Sequence, residues 1–199
     1  MALTVTVYSD YICPFCYVGM GVLDQLREKY DLQITWKGME IHPETPEDGV
    51  LLKEFFTDAG FDQRLADLKS RAQALGLPFG DLTVLANSHD ALQAAEFARD
   101  QGMLEEFHRA MMQAYFGENK NIGEMPVIMA VAKEVGLDLL KLEEVLVTSA
   151  YEERLMQDLA EARQWGVTGT PTMIVEDQYK IVGAQPLEVL DEFFETLSV

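Results

Sequence analysis

Leu3-Thr4-Val5-Thr6-Val7-Tyr8-Ser9-Asp10-Tyr11-Ile12-Cys13-Pro14-Phe15-Cys16 is an alternating, β-branched run that leads into two cysteines two residues apart. The run from Leu3 to Tyr8 reads as a strand, and the two cysteines are the only ones in the chain. A strand entering C-x-x-C is a thiol redox signature. Proline is preorganised for the first turn of a helix, where its missing N–H is no loss, so Pro14 places the N-cap on Cys13. Unpaired backbone N–H groups and the positive end of the helix dipole favour a thiolate there. Cys13 is therefore the candidate nucleophile. Cys16, one turn later on the same side, is the candidate resolving thiol, able to attack a mixed disulfide held by Cys13.

Two other readings of the pair are weaker. A structural zinc site needs four Cys or His ligands, and His42, His89 and His108 do not stand at zinc-binding spacing, so no metal is expected. A purely structural disulfide would close a loop too short to remove much chain entropy. A chain of 199 residues, 48% of them hydrophobic, can moreover bury a core without such a staple.

Composition narrows the partners. The 15 basic and 34 acidic residues give a net charge of −19, which repels phosphate backbones and argues against nucleic acid. No apolar run reaches membrane-spanning length, and strand-like residues begin at once with no signal-peptide pattern. A cytoplasmic protein without a membrane partner is the expectation.

Outward from the cysteines, Val18, Val22, Leu26 and Tyr30 recur every fourth residue and predict one helix face. Leu32–Trp36 then alternates like a strand, completing a βαβ unit whose two strands should be parallel. From about Gly49 to Trp165 amphipathic segments follow one another, and the block reads as wholly helical. Gly76, Gly102 and Gly136 mark helix ends, while Asn87 or Ser88 and Asp138 are candidate N-caps. Strand character returns in Pro171–Val175 and Tyr179–Val182 across the turn Glu176-Asp177-Gln178, a predicted hairpin. A last helix follows from Pro186, with Leu187, Leu190, Phe194 and Leu197 on one face. The sum is an α/β fold: one mixed sheet interrupted by a large helical insertion. Residues 1–48 and 151–199 supply the sheet-bearing parts and 49–150 the insertion.

A second motif, Gly166-Val167-Thr168-Gly169-Thr170-Pro171, precedes the hairpin. Proline cannot donate to a sheet ladder, so Thr170 beside it is free to offer its backbone to an extended peptide. Both motifs together resemble the thioredoxin-fold proteins of the DsbA type, most closely a FrnE-like branch. The resemblance rests on Asp10-Tyr11-Ile12-Cys13-Pro14-Phe15-Cys16-Tyr17-Val18-Gly19, Asn87-Ser88-His89, Gly166–Met173 and Gly183-Ala184-Gln185-Pro186, and so runs over nearly the whole chain. It implies a thioredoxin fold with a helical insertion and a cis Pro171 facing the redox pair. It also implies thiol–disulfide exchange by Cys13 and Cys16, with Pro14 and Phe15 completing the active-site motif and Thr170, Pro171 and His89 as candidate substrate-binding residues.

The expected function is a thiol–disulfide oxidoreductase acting as oxidant, reductant or isomerase on protein or low-molecular-weight disulfides. No bound cofactor is expected beyond the redox-active disulfide, and glutathione is a candidate co-substrate. Two alternatives are a glutathione-dependent isomerase or kappa-class-like glutathione transferase, and a non-catalytic peptide-binding or chaperone module. The first typically carries serine where this chain has Cys13, which favours the redox reading. His89, if protonated near the thiol, would favour its thiolate, whereas His108 and His42 read as packing or loop residues. Phe15 adds no charge between the cysteines, and the Asp10 carboxylate, if close, opposes the Cys13 thiolate. A weaker oxidant than DsbA, whose potential is about −120 mV, is expected. The methionines Met111, Met112, Met129 and Met156 suit core filling, with a Met-lined peptide groove as the alternative.

Overall fold

The computed structural model of the chain describes residues 2–198. Strand β1 (Leu3–Ser9), helix α1 (Pro14–Arg27) and strand β2 (Leu32–Gly38) form the first unit, with β1 and β2 parallel from Leu3 opposite Leu32 to Ser9 opposite Gly38. Strands β5 (Thr172–Val175) and β6 (Tyr179–Val182) form an antiparallel hairpin, and β5 lies antiparallel against β1, Val7 opposite Met173. The sheet order is β2-β1-β5-β6. The hairpin turns through Glu176 and Asp177, both at positive φ, and the Gln178 N–H donates to the Val175 carbonyl.

Alternation along the strands sorts the side chains between two faces. Leu3, Val5, Val7, Met173 and Val175 enter the main core with Leu23 and Leu26 of α1 and with Leu190 and Phe194 of the last helix, α9 (Leu187–Leu197). Tyr8 and Ile174 point the other way, against Ala162 of helix α8 (Glu152–Gln164) and Val167. Burial of each such side chain is worth about 1.5–3 kcal/mol, so a one-residue slip of β1 would exchange the two sets and forfeit much of both. Helix α1 ends at Arg27, one turn before the periodicity suggests. Tyr30 nevertheless stays buried, its hydroxyl donating to Asp191 Oδ1 at 2.7 Å.

Between the two halves of the sheet run α2 (Leu52–Phe55), α3 (Phe61–Ala74), α4 (His89–Asp100), α5 (Leu104–Met112), α6 (Met125–Val135) and α7 (Leu139–Thr148). The block is not wholly helical: β3 (Val50–Leu51) and β4 (Val84–Leu85) pair antiparallel. Two residues per strand are too few to leave an alternating pattern. Helix α5 also runs into a π-helical turn, Gln113–Gly117. Phe107, Met111, Met112, Ile128 and Leu142 are fully buried here, so the first two methionines fill core, whereas Met156 is exposed. Glycines 76, 102 and 136 stand at helix ends with φ of 76°, 72° and 86°, where a side chain would strain the backbone. Asp138 caps α7 by accepting from the Lys141 N–H. At α4 the capping bond comes from Asn87, which accepts from the His89 N–H at 2.9 Å, rather than from Ser88.

Candidate functional site

Strand β1 delivers the chain to a tight turn in which the Cys13 N–H donates to the Asp10 carbonyl at 3.2 Å. Cys13 is the N-cap of α1, in extended conformation, and Pro14 is the first helical residue. The Cys16 N–H donates to the Cys13 carbonyl at 2.9 Å, which sets the two sulfurs one turn apart at the dipole's positive end. Both cysteines are free thiols, 3% and 1% exposed. Phe15 between them is 42% exposed and contributes the open apolar surface of the motif.

The second motif closes over the first. The Thr170–Pro171 bond is cis, and Cys13 Sγ donates to the Thr170 carbonyl at 3.4 Å. Pro171 lies against α1 at Gly19, where an added Cβ would already stand 3.4 Å from the proline ring. A larger residue at position 19 would press the loop away from the sulfurs. The Thr170 hydroxyl is buried without a hydrogen-bond partner, and the Thr170 side chain favours the thiolate form of both cysteines.

The two thiols differ sharply in acidity. A hydrogen bond from Cys16 lowers the Cys13 pKa and outweighs burial, with Thr170 and the Cys16 backbone N–H adding to the effect. Cys16 is raised well above the ordinary thiol range, first by burial and then by the bond and the charge it shares with Cys13. Asp10 sits beneath this turn, fully buried. Burial raises its pKa to about 6, although its carboxylate accepts from the backbone N–H of Ile12 at 3.3 Å and of Ile41 at 2.7 Å. Its charge opposes the Cys13 thiolate.

The structure unites Cys13, Pro14, Phe15, Cys16, Thr170 and Pro171, but it gives His89 other work. The His89 ring sits 3.4 Å from Glu40 and 3.1 Å from Glu152, with Gln93 at 3.2 Å, and the bond with Glu40 raises its pKa. The groups that act most on Cys13 are Cys16, Thr170 and Asp10. His89 thus joins α4 to the loop after β2 and to α8. Two carboxylates at hydrogen-bonding range claim an imidazole more strongly than a thiol does. His108 is a core residue stacked on Trp36 at 4.1 Å, and burial lowers its pKa to about 3. His42 lies in the loop after β2, edge-on to Phe55 and Phe56.

Sequence reasoning missed Ser9, whose hydroxyl helps to restrain the rise in the Cys16 pKa. A serine one residue past an alternating run gives no such signal. A cleft of about 660 Å³ between α5 and α6 is lined by neither cysteine. A smaller apolar chamber adjoins the redox loop through Ile12 and Pro14. Among the described residues no helix is long and apolar enough to cross a membrane.

Comparison with known proteins agrees with this architecture. A 2-hydroxychromene-2-carboxylate isomerase of Sphingobium xenophagum is 27% identical over 183 residues, 89% of this chain and 91% of its own. A probable DsbA oxidoreductase of Streptomyces coelicolor superposes with a TM-score of 0.87 at 24% identity, over 94% of this chain and 86% of its own. The cytosolic disulfide reductase DsbM of Pseudomonas aeruginosa, solved with GSH, superposes at 0.72 and 20% identity, over 98% of this chain and 100% of its own. The model of the DSBA-like thioredoxin domain matches residues 4–195. With nearly its whole length matched, the chain belongs to the DSBA-like thioredoxin domain family.

Proposed function

We propose that the protein is a thiol–disulfide oxidoreductase in which Cys13 attacks and Cys16 resolves. The observation that carries this reading is geometric: Cys13 stands at the N-cap of α1 with Cys16 one turn on, and the Cys13 sulfur lies 3.4 Å from the Thr170 carbonyl, an arrangement with which the opposed acidity of the two thiols agrees. In the reductive direction the Cys13 thiolate attacks one sulfur of a disulfide, forms a mixed disulfide and expels the other sulfur as a thiolate, which takes a proton from solvent. Cys13 has then lost its negative charge. The repulsion that helped to hold the proton on Cys16 goes with it, so Cys16 ionises more readily when its turn comes. Its thiolate attacks Cys13 Sγ, closes the Cys13–Cys16 disulfide and releases the second thiol. Oxidation of a substrate dithiol runs the same steps backwards. During exchange the Thr170 backbone and Pro171 hold an extended partner beside Cys13.

A low-molecular-weight thiol of the glutathione class is the partner proposed for recycling, and the cytoplasm the proposed compartment. The likeness to a disulfide reductase solved with GSH supports both. The isomerase relative supports a second reading, glutathione-dependent isomerisation. That chemistry gives Cys16 no part, so the resolving thiol separates the two. Insulin reduction and refolding of a scrambled-disulfide substrate test the assignment. Wild type should turn over both, Cys13→Ser should be inactive, and Cys16→Ser should accumulate mixed disulfides. Absence of exchange in wild type, or turnover that survives Cys16→Ser with glutathione, would overturn it.

A further inference from the structure

Residues 166–171 carry the backbone that faces the two sulfurs, and three residues outside this segment donate into it. At its start Lys180 of β6 donates to the carbonyls of Trp165 and Gly166 at 3.0 and 3.2 Å. At its end the Gly183 N–H donates to the Pro171 carbonyl at 2.8 Å. Between them acts Thr172, the first residue of β5, fully buried, whose hydroxyl donates to the Gly169 carbonyl at 2.7 Å. That bond spans only Thr170 and Pro171, the two residues set against Cys13 and against α1 at Gly19. Packing does not replace it, because a Cβ added at Gly169 would meet nothing within 4 Å. Thr172 is itself fixed by pairing with Tyr8 of β1 and Val182 of β6, so its hydroxyl ties the loop to the sheet.

We propose that Thr172 is a positioning residue for thiol exchange, its hydroxyl aiming the Thr170 backbone at the main chain of a peptide whose cysteine is joined to Cys13. The inference rests on the dithiol reading above and deepens it, naming disulfides that carry a peptide main chain as the class this loop selects. In the reduced protein the Thr170 carbonyl accepts from Cys13 Sγ at 3.4 Å. Once Cys13 is joined to a partner through sulfur it has no S–H to donate. The carbonyl is then free to accept a backbone N–H of that partner, as in strand addition. A peptide gains most from an edge already held in one orientation, because ordering a loop on binding costs affinity. A small disulfide without amide groups draws nothing from that edge.

The test uses the reduced protein in single turnovers, its own dithiol supplying both electrons and each disulfide yielding two thiols. Two cysteamine mixed disulfides are compared, one of the blocked tripeptide Ala-Cys-Ala and one of ethanethiol. Thr172→Val keeps the shape of the side chain without its hydroxyl, and Thr172→Ser keeps the hydroxyl. Thr172→Val should lower the peptide rate by about twofold to tenfold, the worth of one hydrogen bond, and leave the ethanethiol rate as in wild type. That unchanged rate reports an intact redox pair, and Thr172→Ser should restore the peptide rate. A peptide-to-ethanethiol ratio equal in wild type and Thr172→Val, whether both rates are kept or both fall, would overturn the proposal and leave the dithiol reading standing. Thr172→Ser losing the peptide rate as Thr172→Val does would also overturn it. No reaction of wild type with either compound would remove the dithiol reading and this proposal with it.

Discussion

Replacing Asp10 by asparagine isolates the buried carboxyl on which the redox turn is built. Burial raises its pKa from 3.8 to about 6, against the pull of the Ile41 and Ile12 N–H groups. The folded protein therefore holds this proton where the unfolded chain has released it. Stability falls with rising pH wherever the native state binds more protons, so the Asp10 contribution declines between 3.8 and about 6 and is level on either side. At about 1.4 kcal/mol per pH unit, that interval is worth about 3 kcal/mol. Asparagine does not titrate, and it keeps one acceptor oxygen while turning an N–H towards a backbone donor, an offset that does not vary with pH. Urea unfolding of both proteins from about pH 3 to about pH 8 should show wild type losing about 3 kcal/mol relative to Asp10→Asn, because the other carboxylates titrate in both and cancel. A difference that stays flat across this range would refute the reasoning.

The Thr170 side chain favours the Cys13 thiolate, so Thr170→Val should slow Cys13 alkylation at neutral pH by up to about tenfold, the most one hydrogen bond is worth, with the rate of iodoacetamide labelling as the readout. His89 is raised by Glu40, so its stabilisation is present below the unfolded value of 6.5 and is lost as pH rises through the folded one. With the ring about one-third exposed, His89→Gln should lower stability by less than about 1 kcal/mol at acidic pH and by nothing measurable at pH well above neutral, as read from thermal unfolding. Phe15 brings no charge between the cysteines, so equilibration with glutathione should give a potential more negative than about −120 mV, and a value at or above it would contradict this.

The frame of the molecule is legible because strands and long helices leave periodic patterns. Leu3–Ser9 and Leu32–Gly38 announce themselves by alternation, the final hairpin by strand-forming residues on either side of a polar turn, and the cysteine pair by its spacing. The β3–β4 ribbon leaves no trace, since two residues have no period, and the π-helical turn differs from an α-helix by a shift in hydrogen bonding that composition does not encode. Among the site residues, those next to the motif in sequence stayed next to it in space. His89 pairs with Glu40 and Glu152, which approach it from elements distant in sequence and so left no sign in its motif. The apolar chamber is likewise assembled from β4, the turn after α5 and the loop after β2, so only the assembled structure reveals it.

The division of labour between the two cysteines is the central claim, and the pH dependence of their alkylation tests it most directly. Reduced protein is pulsed with iodoacetamide across a pH series, and each cysteine is followed separately by mass spectrometry. Cys13 should titrate below the ordinary thiol range and Cys16 should stay unmodified until far higher pH, with Cys13→Ser removing the fast phase entirely. Two cysteines that titrate together, or Cys16 reacting first, would contradict the assignment of attack to Cys13 and resolution to Cys16.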